Sequence, residues 1–236
     1  VVSRCSKPGP ATTIVGRHPA QALARLADAN AMRGTPGRIS VQAFCHRPPL
    51  ELARALLGCR LVSTIDGVRT EGVIVETEAY GGLEDPASHA STVAGRTQRN
   101  RAIFGPPGTA YVYRSYGIHW CLIVVTGPEG QGGAVLLRGM DPVAGKAVMR
   151  RRRKGRKPIG AGPGRLAEAL GVSGALYGHD LGRPPLVLVP GSLPPKRQIG
   201  ISPRVGISRA ADWPHRLYVR GAAGETRPDG WNPMAP

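Results

Sequence analysis

Apolar positions recur at helical spacing in a few stretches of this chain and alternate with polar ones in several more. In PPLELARALLGCRLV, Leu50, Ala53, Leu56 and Leu57 fall on one helical face, and Gly58 stops the helix before a strand. RLVSTIDGVRTEGVIVETEAY reads as two strands around Asp66-Gly67, a common hairpin dipeptide. TAYVYRSYGIHWCLIVVTG and GGAVLLRGMDP read as two further strands, the first ending in an apolar run that suits burial on both faces. A basic stretch and a Gly-rich bend then lead into GPGRLAEALGV, a short helix ended by Gly171, and PLVLVPG and HRLYVRG supply closing strands. The order of elements predicts an α+β fold with a mainly antiparallel sheet.

The flanks differ from this core. Residues 1–38 are rich in Ala, Arg, Gly and Pro, and only a stretch around residues 18–32 suits a short helix, so a flexible N-terminal arm is expected. The core begins near Ile39 and runs to Gly221, and a loose tail is expected over residues 222–236.

With 236 residues the chain can bury a sizeable core without metals or disulfides. Its 32 Lys plus Arg against 15 Asp plus Glu give a net charge of +17, which calls for a polyanionic partner, nucleic acid first. Drift in a genome rich in Arg, Ala, Gly and Pro codons is the alternative source of the charge. Cys5, Cys45, Cys59 and Cys121 are widely spaced and have no histidine at ligand spacing, so neither a metal site nor a disulfide framework is predicted. No apolar run is long enough to span a bilayer, and the first residues lack the apolar block of a signal peptide, so a soluble intracellular protein is expected.

Against this basic background VETEAYGGLEDPASHA gathers Glu76, Glu78, Glu84 and Asp85 with Tyr80 and His89. Strict alternation over residues 72–80 would put Ile74, Glu76, Glu78 and Tyr80 on one face, so two carboxylates and a phenol point the same way. GGLEDP breaks the strand, and His89 follows in a loop that can fold back toward Tyr80. TAYVYRSYG holds three of the six tyrosines within six residues; Tyr111 and Tyr113 share a strand face, and Tyr116 projects from the strand end if the chain turns at Gly117. Such a cluster packs a core or stacks on bases. At GPGRLAEAL, unpaired N–H groups at a helix start, with Arg165 nearby, suit a phosphate, while Arg150–Arg153, Lys154, Arg156 and Lys157 make a cationic track or a solvated loop. GAGPGR half resembles a dinucleotide fingerprint but follows no strand. The chain has no G-x-S-x-G elbow, Walker A sequence or H-E-x-x-H pair, and Asp141 and Asp180 are expected to organise loops.

Together VETEAY, the loop ending in His89, RTQRNR with PGTAYVY, YGIHWC, AVLLRGMDP, GPGRLAEALG and PRVGIS resemble the alkyladenine (3-methyladenine) DNA glycosylase family, over nearly all of Ile39 to Gly221. The resemblance implies a single mixed domain around a curved antiparallel sheet, and excision of damaged purines from double-stranded DNA with no metal or other cofactor. It implies that Glu78 activates water, that Arg138 helps to order that water and the neighbouring phosphate, and that Tyr80, His89, Tyr113 and Ile123 line the base pocket. Tyr116 would fill the gap left by the extruded base, and Arg99, Asn100, Arg101, Gly162, Gly164 and Arg165 would meet the DNA backbone. Alkylated adenine, hypoxanthine and ethenoadenine are the candidate lesions by the same resemblance. Ile123 departs from the family pattern, which usually has an Asn there that is associated with excluding guanine. Gln98, where the family often has Pro, is a smaller change.

A carboxylate suits this chemistry because C1′ becomes cationic as the glycosidic bond breaks. No lysine lies between Lys7 and Lys146, so hydrolysis without a Schiff base is expected. The expected protein is a monomer with no membrane partner, in the bacterial cytoplasm and associated with the nucleoid. Two alternatives remain: a binding protein of the same fold with weakened catalysis, and a ribosome-associated RNA binder, which leaves Glu78 unexplained.

Overall fold

The 11-residue run TEGVIVETEAY is rich in β-branched residues and organises the sheet as the strand β2. In a computed structural model, which describes residues 40–91 and 95–226, β2 spans Thr70–Tyr80. It is preceded by α1 (Val41–Cys45), α2 (Pro49–Leu56) and β1 (Arg60–Ser63). After it come β3 (Thr109–Ser115), β4 (His119–Thr126), β5 (Gly133–Ala144), α3 (Lys146–Arg152) and α4 (Pro163–Leu170). The short strands β6 (His179–Asp180), β7 (Leu186–Val189), β8 (Ile199–Ser202) and β9 (Arg216–Val219) follow. The sheet runs β6-β3-β4-β5-β2-β1-β7, with β9 on β2 and β8 on β9, and each of these pairs is antiparallel. The α+β expectation therefore holds.

One edge of β2 is covered by β5, whereas the other passes from β1 to β9 where Glu76, Thr77 and Glu78 pair with Tyr218, Leu217 and Arg216. Both edges of the acidic segment are thus occupied, and its side chains lie at full burial. Strict alternation fails here. The register slips between Ile74 and Glu76, leaving Val75 as the extra residue, and slips back between Glu76 and Thr77, where Arg138 on β5 has no Cα partner. Ile74 consequently joins Thr77 and Ala79 on the helix-covered face, and Thr77 Oγ1 donates to the Ala53 carbonyl of α2 at 2.9 Å. Glu76, Glu78 and Tyr80 remain together on the other face. The bulge thus corrects the expectation that Ile74 lies beside the two glutamates.

Helices cover one face of the sheet. Leu52, Ala53 and Leu56 of α2, with Leu57, and Leu166, Ala167 and Leu170 of α4 pack on Leu61, Leu122, Leu137 and Met140 to form the larger core. Leu50 is exposed, and Leu52 takes the place expected for it. The opposite face carries a smaller cluster of Ile103, Phe104, Tyr111, Ile123 and Leu136, against which Tyr80, Tyr113 and Tyr177 are packed.

Two segments differ from expectation. TAYVYRSYGIHWCLIVVTG is a hairpin of β3 and β4, not one strand: Tyr116 (φ 50°) and Gly117 (φ 70°) make the turn, and Ile118 N–H donates to Ser115 O at 3.0 Å. The basic run begins as the helix α3, because Met149 enters the core and Arg152 donates to the carbonyls of Ile65 and Ala169. The expected arm lies outside the described residues. So does 227–236 of the expected loose tail, but Gly224 and Glu225 are buried and Gly224 N–H donates to Asp141 Oδ1 at 2.6 Å.

That packing brings the Gly224 carbonyl to 2.1 Å from where a Cβ on Gly139 would stand, with the Glu76 Cβ at 3.0 Å. Gly139→Ala is expected to destabilise the protein by about 1–3 kcal/mol through overpacking, read as a lower urea midpoint at unchanged slope.

Candidate active site

Four ionisable side chains, all buried, meet at the centre of β2. Arg138 Nε lies 3.0 Å from Glu76 Oε1 and 3.3 Å from Glu78 Oε1, and Arg216 Nε donates to Glu76 Oε1 at 2.8 Å. Thr226 N–H caps the other oxygen of Glu76. Glu78 also accepts from Val205 N–H at 2.7 Å on Oε1 and from the Tyr80 hydroxyl at 3.0 Å on Oε2. Burial pushes the Glu78 carboxyl above its ordinary range, only partly offset by Arg138, the Val205 N–H and the Tyr80 hydroxyl, while Glu76 adds to the rise. A carboxylate offers about four lone-pair positions, so one on Oε2 stays open to a further donor.

Tyr80 separates this cluster from a cavity of about 270 Å³. Its walls include Tyr80, His89, Tyr113, Ile123, Ala134 and Ile207. His89 and Tyr113 meet edge to face with centroids 4.5 Å apart, and His89 Nδ1 lies 3.0 Å from the hydroxyl of Tyr111, which stacks on Tyr113. Aromatic walls of this kind suit a flat, unsaturated ring system. Burial, helped by the charge of Arg99, lowers the His89 pKa and favours the neutral ring.

Tyr116 stands on the rim. It is 88% exposed and has a positive φ that a bulky residue rarely adopts. It borders both the aromatic cavity and a second hollow of about 560 Å³ that Arg156, Lys157, Gly162, Gly164 and Arg165 help to line. Gly164 allows the start of α4 to close on the hairpin, since a Cβ there would lie 2.8 Å from that of His119.

Comparison of the sequence with known families gives a match over residues 43–223 to the family described as Methylpurine-DNA glycosylase (MPG). The chain belongs to the methylpurine-DNA glycosylase family. Similar proteins named "Putative 3-methyladenine DNA glycosylase" include one from Methanoculleus marisnigri, 46% identical over 185 residues, covering 76% of this chain and 94% of that protein. One from Rhodopseudomonas palustris is 46% identical over 189 residues, 79% of this chain and 90% of its own. One from Rubrobacter xylanophilus is 50% identical over 167 residues, 70% and 86% respectively.

Within this methylpurine-DNA glycosylase fold, Glu78 and Arg138 come together, as do Tyr80, His89, Tyr113 and Ile123, with Tyr116 at the rim. Arg99 lines the same cavity and donates to the Arg114 carbonyl at 3.3 Å. Asn100 has a different task. Its amide donates to the carbonyls of His89 and Gly95 and its oxygen accepts from Thr97, so it shapes the loop that carries His89 and keeps no donor for a phosphate. Arg101 is exposed, bonds Gln98, and borders a different hollow beside Tyr177. Sequence reasoning singled out Glu76, Asp85 and Tyr111 without giving them a role in the site, and it passed over Arg204 and Arg216. Glu76 and Asp85 stood in the acidic stretch and Arg204 in PRVGIS, but Arg216 is 140 residues from Glu76 and Arg204 is 119 residues from Asp85.

Burial, with the proximity of Arg99, sets a measurable property of His89. The imidazole is expected to titrate below the usual histidine range, and Arg99→Ala to move its midpoint upward; nitrogen-15 NMR of the labelled ring reads both.

Proposed function

We propose that this protein is a DNA glycosylase of base-excision repair that acts on alkylated or deaminated purines in double-stranded DNA and leaves an abasic site. The observation that carries the reading is the desolvated Glu78, held by Arg138 and Val205 directly behind the aromatic cavity.

A base is inaccessible within the stack, so the damaged nucleotide swings out, at a cost of roughly a few kcal/mol that a weakened pair reduces. The purine enters between Tyr80, His89 and Tyr113, and Tyr116 takes its place in the helix from the minor-groove side. As the bond from C1′ to the purine nitrogen breaks, its electron pair leaves with the base and the sugar becomes cationic. Glu78 stabilises that charge and takes a proton from water through its open Oε2 position, while the water oxygen bonds to C1′. Arg138 helps to hold the water and the adjacent phosphate. Arg99 and Arg165 supply charge for the backbone on either side of Tyr116, and binding therefore weakens with salt. The sequence has no lysine from residue 8 to 145, which supports hydrolysis without a Schiff base.

Glu78→Gln is expected to slow base release by about 10²–10⁴-fold while binding to abasic-site DNA survives. The measurement is single-turnover release from duplexes carrying alkylated adenine, hypoxanthine or ethenoadenine. In the wild type the rate should rise with pH as Glu78 ionises, through a midpoint above the ordinary glutamate range. A borohydride-trapped DNA adduct would count against hydrolysis by water.

Ile123 gives the cavity an apolar wall. A guanine amine buried against it without a partner costs about 1–3 kcal/mol, so lesion preference shifts while guanine stays disfavoured. Rapid release of undamaged guanine, slowed by Ile123→Asn, would overturn this. The natural Ile at this position, where the family usually has Asn, supports a second reading, a binding protein of this fold with weakened catalysis, which predicts abasic-DNA binding without release of any of the three lesions.

A further inference from the structure

The ion pair of Arg204 and Asp85 has no part in the proposed reaction, yet it is among the most enclosed of the described residues, with side chains 0% and 1% exposed. Enclosing two charges costs several kcal/mol of hydration, and such a pair is a weak source of stability. Its placement suggests another use. Arg204 Nη1 and Nη2 engage both oxygens of Asp85, and Nη1 also donates to the carbonyl of Ala79, the residue between Glu78 and Tyr80. The guanidinium lies over the Tyr80 ring at 4.7 Å from its centroid, with the Trp213 ring at 5.7 Å. Asp85 is itself fixed by the N–H groups of Gly81 and Ala87.

Three segments meet at this pair. Asp85 begins the loop that brings Ala87, Ser88 and His89 to the aromatic cavity, and Arg204 immediately precedes Val205, Gly206 and Ile207. Val205 is the residue whose N–H donates to Glu78. A planar fork can hold Asp85, the Ala79 carbonyl and the Tyr80 face at once, which an ammonium cannot.

Resting on the glycosylase reading, we propose that Arg204, paired with Asp85, is a positioning residue for base excision. It sets the Val205 N–H on Glu78 and the plane of the Tyr80 ring that walls the cavity.

The groups facing Glu78 are Arg138, the Tyr80 hydroxyl and the Val205 N–H, with Glu76 and Tyr113 beyond them. Arg204→Lys leaves the charged ones in place and is expected to withdraw the N–H, so Glu78 ionises at higher pH. The test is single-turnover release of ethenoadenine from a duplex across the pH range, with affinity for a duplex containing a tetrahydrofuran abasic analogue and a thermal melt run in parallel. Expected for Arg204→Lys is a loss of about 10²-fold in rate, an acid limb moved to higher pH, and near wild-type affinity for the abasic duplex. Asp85→Asn, which keeps the shape of its side chain, is expected to move the limb the same way and serves if the lysine variant folds poorly. A limb that stays in place, with rate lost only in proportion to folded protein, would make the pair merely structural and overturn the proposal. If the wild type releases no base, the glycosylase reading itself fails. The clamp is then judged in the free protein from the carbon-13 titration of the Glu78 carboxyl, which must move upward in the variants; an unmoved midpoint overturns it.

Discussion

The structure is organised around acidic and basic side chains buried together in one place. Glu76 and Glu78 project side by side from β2, and each would be costly to bury alone. Arg138 reaches both and Arg216 secures the first, so two carboxyl groups are matched by two guanidinium groups. Its partners arrive from β5, from β9 and from residues 205 and 226, which obliges these distant parts of the chain to converge on one strand. The carboxyl of Glu78 remains less acidic than one in water, which is the property wanted of a group that must accept a proton.

Geometry around the cluster depends on two compensating bulges. The extra residue Val75 turns Glu76 and Glu78 away from the helices, and Arg138 occupies the matching irregularity on β5. Without the first slip, the apolar Ile74 would share the face of the two glutamates. With it, the same strand serves the apolar core on one side and the charged site on the other. Bulges commonly re-aim side chains beside active sites in this way.

Beyond the charges, the site is layered. Tyr80 bonds the carboxylate and walls the aromatic cavity, His89 and Tyr113 add further walls, and Tyr116 borders both this cavity and the basic hollow beside α4. A strained, exposed tyrosine gives nothing evident to stability, and such outliers are retained where a ligand uses them. The family match gives that ridge a DNA context.

Much of this was readable from residues in order. Alternation and turn dipeptides gave the β1–β2 hairpin and the late strands, Gly171 gave the end of α4, and the quoted motifs led to the family, because these are local properties of a few neighbouring side chains. The sequence also pointed to Glu78 and the tyrosines as one group. Tertiary structure alone decided which groups hold them: Val205, Arg204 and Arg216 stand 119 to 140 residues from the acids they bind. It also assigned Asn100 to a loop and gave the basic run a helical start, since Met149 found a core and Arg152 found carbonyls. Pairing between remote strands and the desolvation of charge are properties of the folded whole, and no short window of sequence contains them.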